Sequence, residues 1–224
     1  MPVRNTSSKN TSKMSSASTD LSSCNERVQI KVLILGDRGV GKTSAARKFV
    51  GNTCEIISQG ILRKSLRVNN KQYELNVFDT VSVEEFGEVP PEYKDVDICL
   101  LMYSASDLSS FKNLTYWISK FKKEANIKNA DTFPFVVVGN KQDVPDYARL
   151  ISRKEADDWC WNNNLWHSEI STKEESTINR IFGVVMALYE RRQEELGQSS
   201  GTINRILIID VIIRTMTWCL HFKN

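Results

Sequence analysis

The octapeptide GDRGVGKT, which spans residues 36–43, constrains this chain more than any other stretch. It directly follows the apolar run VQIKVLIL and precedes a short helical pattern, so it links a strand to a helix. In that context its glycines allow successive backbone N–H groups to surround an anion, Lys42 adds a positive charge, and the Thr43 hydroxyl is suited to bind Mg²⁺. The stretch therefore predicts a phosphate-binding loop. The predicted contact residues are Gly36, Arg38, Gly39, Val40, Gly41, Lys42, Thr43 and Ser44.

Strand and helix signals alternate along the chain from residue 27 to residue 195. Residues 60–68 and 71–78 are strand-like and flank Asn69-Asn70, a pair that predicts a hairpin turn. The runs VDICLLMY and FPFVVVG are short and continuously apolar, as in strands that are buried on both faces. Alternating strands and helices predict an α/β fold with a largely parallel sheet, whose ligand site lies at the carboxyl ends of the strands.

Periodicity and capping signals predict helices in the second half of the chain. The sequences SRKE, at residues 152–155, and TKEE, at residues 172–175, resemble capping boxes that open helices. An amphipathic helix between the two apolar strands is indicated by Leu108, Phe111, Leu114, Trp117, Ile118 and Phe121. We expect packing roles for Cys99, Cys160, Trp159, Trp161 and Trp166. His167 is expected just before a strand, without the Cys or His neighbours of a metal site.

A second group of residues, VVVGNKQD, bears on which base is bound. The Asp143 carboxylate can accept two hydrogen bonds from the N1–H and 2-amino groups of guanine, which adenine lacks. Asn140 is placed to tie this loop to the phosphate loop, and the stem of Lys141 to cover the base. The third part of the predicted site is a strand end formed by Ser171, Thr172 and Lys173. Three such elements in this order predict a guanine-nucleotide site.

These motifs give the chain a clear resemblance to the small GTPases of the Ras superfamily, and specifically to the Rabs. The resemblance covers about residues 27–195, and FKNLTYW, TFPFVVVGNKQD and EADDWCWNNN resemble the Rab branch of late endosomes. It implies a six-stranded, mostly parallel sheet with five helices, GTP/GDP cycling, bound Mg²⁺, exchange factors and effectors in vesicle transport. By position, Asp79 resembles the aspartate that holds Mg²⁺ through water.

The departures from the family pattern concentrate in the two switch segments. The family has Asp-Thr-Ala-Gly-Gln where this chain has Asp79-Thr-Val-Ser-Val83. Ser82 replaces the glycine that contacts the terminal phosphate, and Val83 replaces the glutamine that orients the attacking water. Ser58 is the nearest counterpart of the Mg²⁺-binding threonine, and Cys54 replaces the ring that covers guanine, a loss of about 1 kcal/mol. The chain is therefore expected to hydrolyse GTP very slowly; the alternative is a degenerate pseudo-GTPase that acts through protein contacts.

Arg38 occupies a loop position that is small in Rabs, because a side chain there crowds the terminal phosphate. One interpretation is an arginine finger supplied in cis. The other, which we favour, is an arginine that points to solvent and obstructs both water and activating partners, since a finger normally approaches from the opposite side.

The two ends of the chain differ in composition from the predicted domain, 27–195. Residues 1–26 are rich in Ser, Thr, Asn and Lys and are predicted to be disordered. Residues 196–224 form a linker and an apolar tail, interrupted by Arg205, Asp210 and Arg214, without the terminal cysteines that prenylation needs. The tail is interpreted as an interfacial membrane helix, a segment that docks on the domain, or a segment without function.

Composition bears on partners and compartment. The net charge of +3 is too small and dispersed to indicate nucleic-acid binding. Five cysteines without a CxxC pair, and no secretory leader before them, predict reduced thiols in the cytosol. With the family resemblance, this predicts a cytoplasmic protein at the cytosolic face of endosomal or Golgi-derived membranes.

Overall fold

A seven-stranded mixed sheet forms the centre of the protein. The structure is a computed structural model, and it describes residues 27–51, 55–58, 60–68, 71–80, 95–125 and 132–197. The strands are β1 (Arg27–Gly36), β2 (Glu55–Ser58), β3 (Ile61–Val68), β4 (Lys71–Asp79), β5 (Ile98–Ser104), β6 (Phe135–Asn140) and β7 (Trp166–Glu169). The helices are α1 (Lys42–Val50), α2 (Leu108–Lys112), α3 (Leu114–Glu124), α4 (Arg153–Asn162) and α5 (Glu175–Gly197), and Asp146–Ala148 form a single 3₁₀ turn.

The strands follow the order β2-β3-β4-β1-β5-β6-β7. The pairs from β4 through β1, β5 and β6 to β7 are parallel, whereas β3 is antiparallel to β2 and to β4. The predicted α/β fold with a mostly parallel sheet is therefore confirmed. The sheet has one strand more than the six expected, because Glu55–Ser58 pair with β3 as a short additional edge strand. Val68 pairs with Lys71, as the predicted hairpin requires.

The register of the parallel strands sets the position of the functional residues. Ile34 in β1 pairs with Asp79 at the end of β4, and Gly36 pairs with Met102 in β5. Ser104, at the end of β5, pairs with Asn140, at the end of β6. The carboxyl ends of these strands therefore meet at one edge of the sheet, where α/β proteins bind their ligands.

Apolar side chains cover both faces of the sheet, as the continuous apolar runs predicted. Val136 and Val138 of β6 belong to the core under α1 and α5, which includes Phe49 and Phe182. Val137 points to the opposite face and belongs to the core under α3 and α4, which includes Phe121. Cys99 and Cys160 are buried in that second core with free thiols, as expected.

The predicted amphipathic helix is divided into two parts. Helix α2 ends at Lys112, and Asn113 separates it from α3. Within α3, Leu114, Trp117 and Phe121 are buried at a spacing of three and four residues, which places them on one face. Leu108 lies in the first turn of α2, beside the capping residue Asp107, and is 37% exposed, so its predicted place on the buried face is wrong.

The two predicted capping boxes have different outcomes. The Ser152 hydroxyl accepts a hydrogen bond from the Glu155 N–H at 3.1 Å and caps α4, as predicted. Helix α5 begins at Glu175, two residues later than a cap at Thr172 would require, so that prediction is wrong. The Thr177 hydroxyl donates to the carbonyl oxygen of Glu174 and accepts from the N–H of Ser171, so it ties the first turn of α5 to the loop before it.

Two further aromatic side chains depart from their predicted positions. Trp161 is 51% exposed on α4, so it does not lie in the core. His167 lies within β7, not before it. Its Nδ1 is 2.6 Å from Asp157, and its Nε2 is 3.1 Å from the Tyr103 hydroxyl. Among the described residues, no cluster of three or more His, Cys, Asp or Glu side chains is arranged to hold a metal ion.

Several predicted features lie outside the described residues. They are the segment 1–26, the turn Asn69-Asn70, residues Cys54, Ser82 and Val83, and the tail from residue 198 onwards. None of the helices in the described ranges combines the length and the apolar character that a bilayer-spanning segment needs.

Candidate functional site

The loop between β1 and α1 has the backbone conformation that its glycines predict. Gly39 and Gly41 have φ angles of 81° and 98°, in the left-handed region that side chains with a Cβ disfavour. Gly41 is also the N-cap of α1, and a Cβ atom there would collide with the side-chain nitrogen of Asn140. The loop therefore delivers its N–H groups and the start of α1 to the same small volume, an arrangement suited to an anion.

Lys42 is buried at the start of α1 and crosses the interior of this loop. Its Nζ donates hydrogen bonds to the carbonyl oxygens of Gly36 and Asp37, both at 2.9 Å. Burial lowers the pKa of Lys42 to about 8, although the negative charges of Asp79 and Asp37 oppose the shift. The ammonium group is thus held inside the loop at a cost in desolvation that an anionic ligand would offset.

Asp79 and Thr43 form the part of the site that fits a divalent cation. Asp79 is 6% exposed, and burial raises its pKa, an effect opposed by a hydrogen bond from Thr43 and by the charge of Lys42. Its Oδ1 atom is buried and has no hydrogen-bond partner in the described part of the chain. A buried carboxylate oxygen without a donor, beside a hydroxyl, matches the oxygen ligands that Mg²⁺ prefers. Ser58 ends β2, but the position of its side chain is not described, so its role as a ligand stays a prediction.

Asn140 connects the loop after β6 to the phosphate loop. It is 1% exposed, and its Nδ2 donates to the carbonyl oxygen of Val40 at 2.8 Å. Its Oδ1 accepts from the N–H of Lys141 at 2.7 Å. This confirms the predicted contact between the two loops. Lys141 has a φ of 64°, so the chain turns sharply directly after Asn140.

Asp143 and the loop after β7 are in contact with each other. Asp143 Oδ2 is 2.6 Å from Lys173 Nζ, and hydrogen bonds from Lys173 and Ser171 hold the pKa of Asp143 below its usual value. Ser171 is fully buried, and its hydroxyl accepts from the N–H of Lys173 at 3.2 Å. Asp143 is therefore an ionised hydrogen-bond acceptor at the rim of the site. Thr172, which lies between Ser171 and Lys173 in the sequence, is half-buried.

Two charged residues that the sequence motifs did not indicate support this second loop. The Arg149 guanidinium binds both carboxylate oxygens of Glu169 in β7, at 2.7 and 3.2 Å. The same guanidinium donates to the carbonyl oxygen of Ile151 at 3.2 Å. Glu169 is 5% exposed, so Arg149 neutralises a buried carboxylate two residues before Ser171. No local pattern could have identified this pair, because its members are 20 residues apart.

Arg38 and Asp37 lie on the outer side of the phosphate loop. Arg38 is exposed, which favours the interpretation that its side chain points to solvent. Asp37, which the sequence did not single out, accepts hydrogen bonds from Asn113 and Trp117, each at 2.7 Å. Ser44 is also exposed, on the first turn of α1.

The same residues fall within a region shared with known proteins. The sequence profile of the Ras family matches residues 31–191. The Ypt/Rab-type GTPase avaA of Emericella nidulans is 34% identical over 184 residues, which are 78% of this chain and 90% of that protein. Ras-related protein Rab-9B of Mus musculus is 37% identical over 160 residues, or 68% and 79% of the two chains. Ras-related protein Rab7 of Cenchrus ciliaris is 34% identical over 180 residues, or 76% and 87%. The matched region contains both loops of the site.

Proposed function

Because the chain belongs to the Ras family of small GTPases, and within it to the Rab branch that includes Rab7, we propose that it binds GTP and GDP and hydrolyses GTP slowly. The observation that best supports this proposal is the hydrogen bond between Asn140 and Val40. It joins the loop that carries Asp143 to the loop that carries Lys42, so one ligand with a base and phosphates spans both.

The side chains of the site have distinct tasks in this proposal. Lys42 and the N–H groups of its loop bind the phosphates, because they combine a buried positive charge with the start of α1. Asp143 accepts the two donors on the edge of guanine. Adenine offers neither of those donors, so guanine gains two hydrogen bonds to Asp143 that adenine cannot make.

Thr43 and Asp79 are the residues that would hold Mg²⁺, with Ser58 as a third candidate. Mg²⁺ bound there supplies positive charge to the phosphate oxygens. Asp79 contributes the orphaned, buried carboxylate oxygen, and Thr43 contributes the hydroxyl that already contacts this carboxylate. Lys42 lies close enough for its charge to lower the pKa of Asp79, so the anionic and cationic groups of the site stabilise each other.

Three residues support slow hydrolysis. Val83 has no side-chain donor or acceptor with which to orient an attacking water, and Ser82 replaces a glycine at the terminal phosphate. Arg38 adds a bulky cation at the loop position next to that phosphate, and its exposed side chain is not directed into the loop. Nucleotide binding depends on other residues, so it is retained while turnover is reduced.

The same substitutions favour a second candidate function, that of a pseudo-GTPase acting as a protein-interaction module. Two experiments distinguish the slow GTPase from the pseudo-GTPase. The purified protein is first denatured by heat, and the released nucleotide is identified by chromatography. A single-turnover assay with radiolabelled GTP and Mg²⁺ then measures hydrolysis. Bound GDP and slow phosphate release support the switch, whereas retained, uncleaved GTP supports a locked form. Absence of any nucleotide binding contradicts the switch. Val83→Gln should raise turnover if the rest of the switch machinery is intact, and should change nothing in a pseudo-GTPase.

A Rab-type protein of this kind acts in vesicle transport, through exchange factors and effector proteins at the cytosolic face of endosomal or Golgi-derived membranes. Residues 202–224 are the proposed membrane contact, because they are strongly apolar, with Trp218 suited to the headgroup level. Flotation with liposomes tests this contact. The full chain should float and a chain truncated after residue 197 should not, and equal behaviour of the two would contradict it.

A further inference from the structure

The phosphate loop carries a carboxylate whose two oxygens both face helix α3. Asp37 is the first residue after β1. Its Oδ1 accepts a hydrogen bond from the indole Nε1 of Trp117, and its Oδ2 accepts one from the side-chain Nδ2 of Asn113, each at 2.7 Å. The two donors are four residues apart, at and just beyond the start of α3, and therefore lie on one face of the helix.

A negative charge at this position opposes the proposed function of the loop. A loop that gathers N–H groups and a buried lysine around phosphates is weakened by a carboxylate that can approach the same anions. The carboxylate is also within reach of Lys42, because the Lys42 Nζ lies 2.9 Å from the backbone carbonyl oxygen of Asp37. In the structure the Lys42 Nζ contacts the carbonyl oxygen of Asp37, while the carboxylate oxygens carry the two donors from α3.

We propose that Asn113 and Trp117 are positioning residues of the phosphate loop, which hold the Asp37 carboxylate away from the nucleotide phosphates and from Lys42. This inference rests on the proposed nucleotide binding. Without the two donors, the carboxylate is free to turn inwards, where it competes with the phosphates for Lys42 and loosens the entry of the loop. The nucleotide then dissociates faster although none of its own contacts has been removed.

The test measures release of radiolabelled GDP from the full chain after addition of excess unlabelled GDP and EDTA. Trp117→Phe keeps an aromatic ring in the core but removes the N–H donor. Asn113→Asp removes the other donor and places a like charge beside Asp37, while a negative charge near the start of α3 favours the helix. We expect each variant to release GDP about tenfold faster, the low end of the effect of a hydrogen bond to a charged group.

Trp166→Phe is the matched control. The Trp166 Nε1 atom is buried and has no hydrogen-bond partner among the described residues, so its loss should leave GDP release unchanged. The substitutions are then repeated in an Asp37→Ala background, where no carboxylate has to be held. There Trp117→Phe and Asn113→Asp should have no effect on release, whereas a purely structural role in packing α3 would persist.

The possible outcomes separate this inference from the proposed function. Failure of the unaltered chain to bind GDP overturns the proposed function and the inference with it. The inference alone is overturned if the unaltered chain binds GDP but the two test variants, Trp117→Phe and Asn113→Asp, release it as slowly as the control Trp166→Phe. Equal acceleration with and without Asp37 also overturns it, because the effect would then not pass through the carboxylate. Should Trp117→Phe fail to fold, Asn113→Asp carries the same comparison.

Discussion

Replacing Asn140 tests the connection between the two loops most directly. Asn140→Ala removes the hydrogen bond from Nδ2 to the Val40 carbonyl and the hydrogen bond from the Lys141 N–H to Oδ1. The Asn140 side chain is 1% exposed and its bond to the Val40 carbonyl is buried, so water cannot readily replace that bond. The variant therefore removes the partners of the Val40 carbonyl and the Lys141 N–H. It also removes the side-chain hydrogen bond that joins the loop after β6, which carries Asp143, to the phosphate loop.

The expected loss of stability follows from these two bonds. Leaving a buried donor or acceptor unsatisfied costs about 1–3 kcal/mol, so the two together should lower the free energy of unfolding by about 3 kcal/mol. For a domain of this size that loss corresponds to a fall in Tm of about 6–12 °C. Release of GDP should accelerate about tenfold or more, because a loss of about 1.4 kcal/mol in binding already has that effect.

Urea unfolding followed by circular dichroism, together with radiolabelled GDP release, measures both effects. Tyr73→Phe is the control, because it also removes one side-chain hydrogen bond, that of the Tyr73 hydroxyl with Glu190 Oε1 at 3.1 Å. Tyr73 lies in β4, six residues before Asp79, and is therefore away from the loops of the site. This control should cost about 1 kcal/mol of stability and leave release unchanged. The reasoning is refuted if Asn140→Ala is no less stable than Tyr73→Phe and releases GDP at the unaltered rate.

Four further predictions concern charged groups of the site. The pKa of Lys42 is lowered to about 8 in the folded protein, so the unfolded chain binds more protons above that pH, and the stability of the nucleotide-free protein should rise between about pH 8 and 10.5. Bound phosphates need the charged amine of Lys42, which is about half protonated at pH 8 in the nucleotide-free protein. Calorimetry in buffers of different ionisation enthalpy should therefore show the uptake of about half a proton per GDP at pH 8. GDP binding without proton uptake would contradict this prediction. Arg149→Leu leaves the Glu169 carboxylate buried without its partner and should cost about 3 kcal/mol in urea unfolding, whereas the double variant with Glu169→Leu should recover most of that loss. Asp79→Ala should weaken Mg²⁺ binding about tenfold or more, seen as GDP release that no longer responds to EDTA; an unchanged response would exclude Asp79 from the metal site.

Much of the site could be predicted from sequence because its signals are local. The positive φ angles of Gly39 and Gly41 are conformations that glycine adopts readily, and the strand and helix on either side are visible as apolar patterns. The hydrogen bond from Asn140 to Val40 fits the predicted contact between the loops, because Asn140 ends β6 and Val40 follows β1, and the carboxyl ends of these parallel strands lie at one edge of the sheet.

The pairings that sequence reasoning missed join residues that are far apart in the chain. Asp37 and Trp117 are 80 residues apart, and Arg149 and Glu169 are 20 residues apart on different elements. Charged residues such as Asp37, Arg149 and Glu169 occur on most protein surfaces, so nothing in their local sequence marks their partners. The wrong predictions for Leu108 and Thr172 both concern the start of a helix, which sequence patterns locate only to within one or two residues.

By itself, the sequence determined the class of fold and the kind of ligand loop, since hydrophobic periodicity and glycine conformation act within a few residues of each other. The tertiary structure decided which charges meet and which are buried. Lys42 has a lowered pKa, Asp79 keeps an oxygen without a donor, and Asp37 faces α3. Each of these follows from the register of the central strands and the packing of helices on them, because only that packing removes water and sets the distance between one charge and the next.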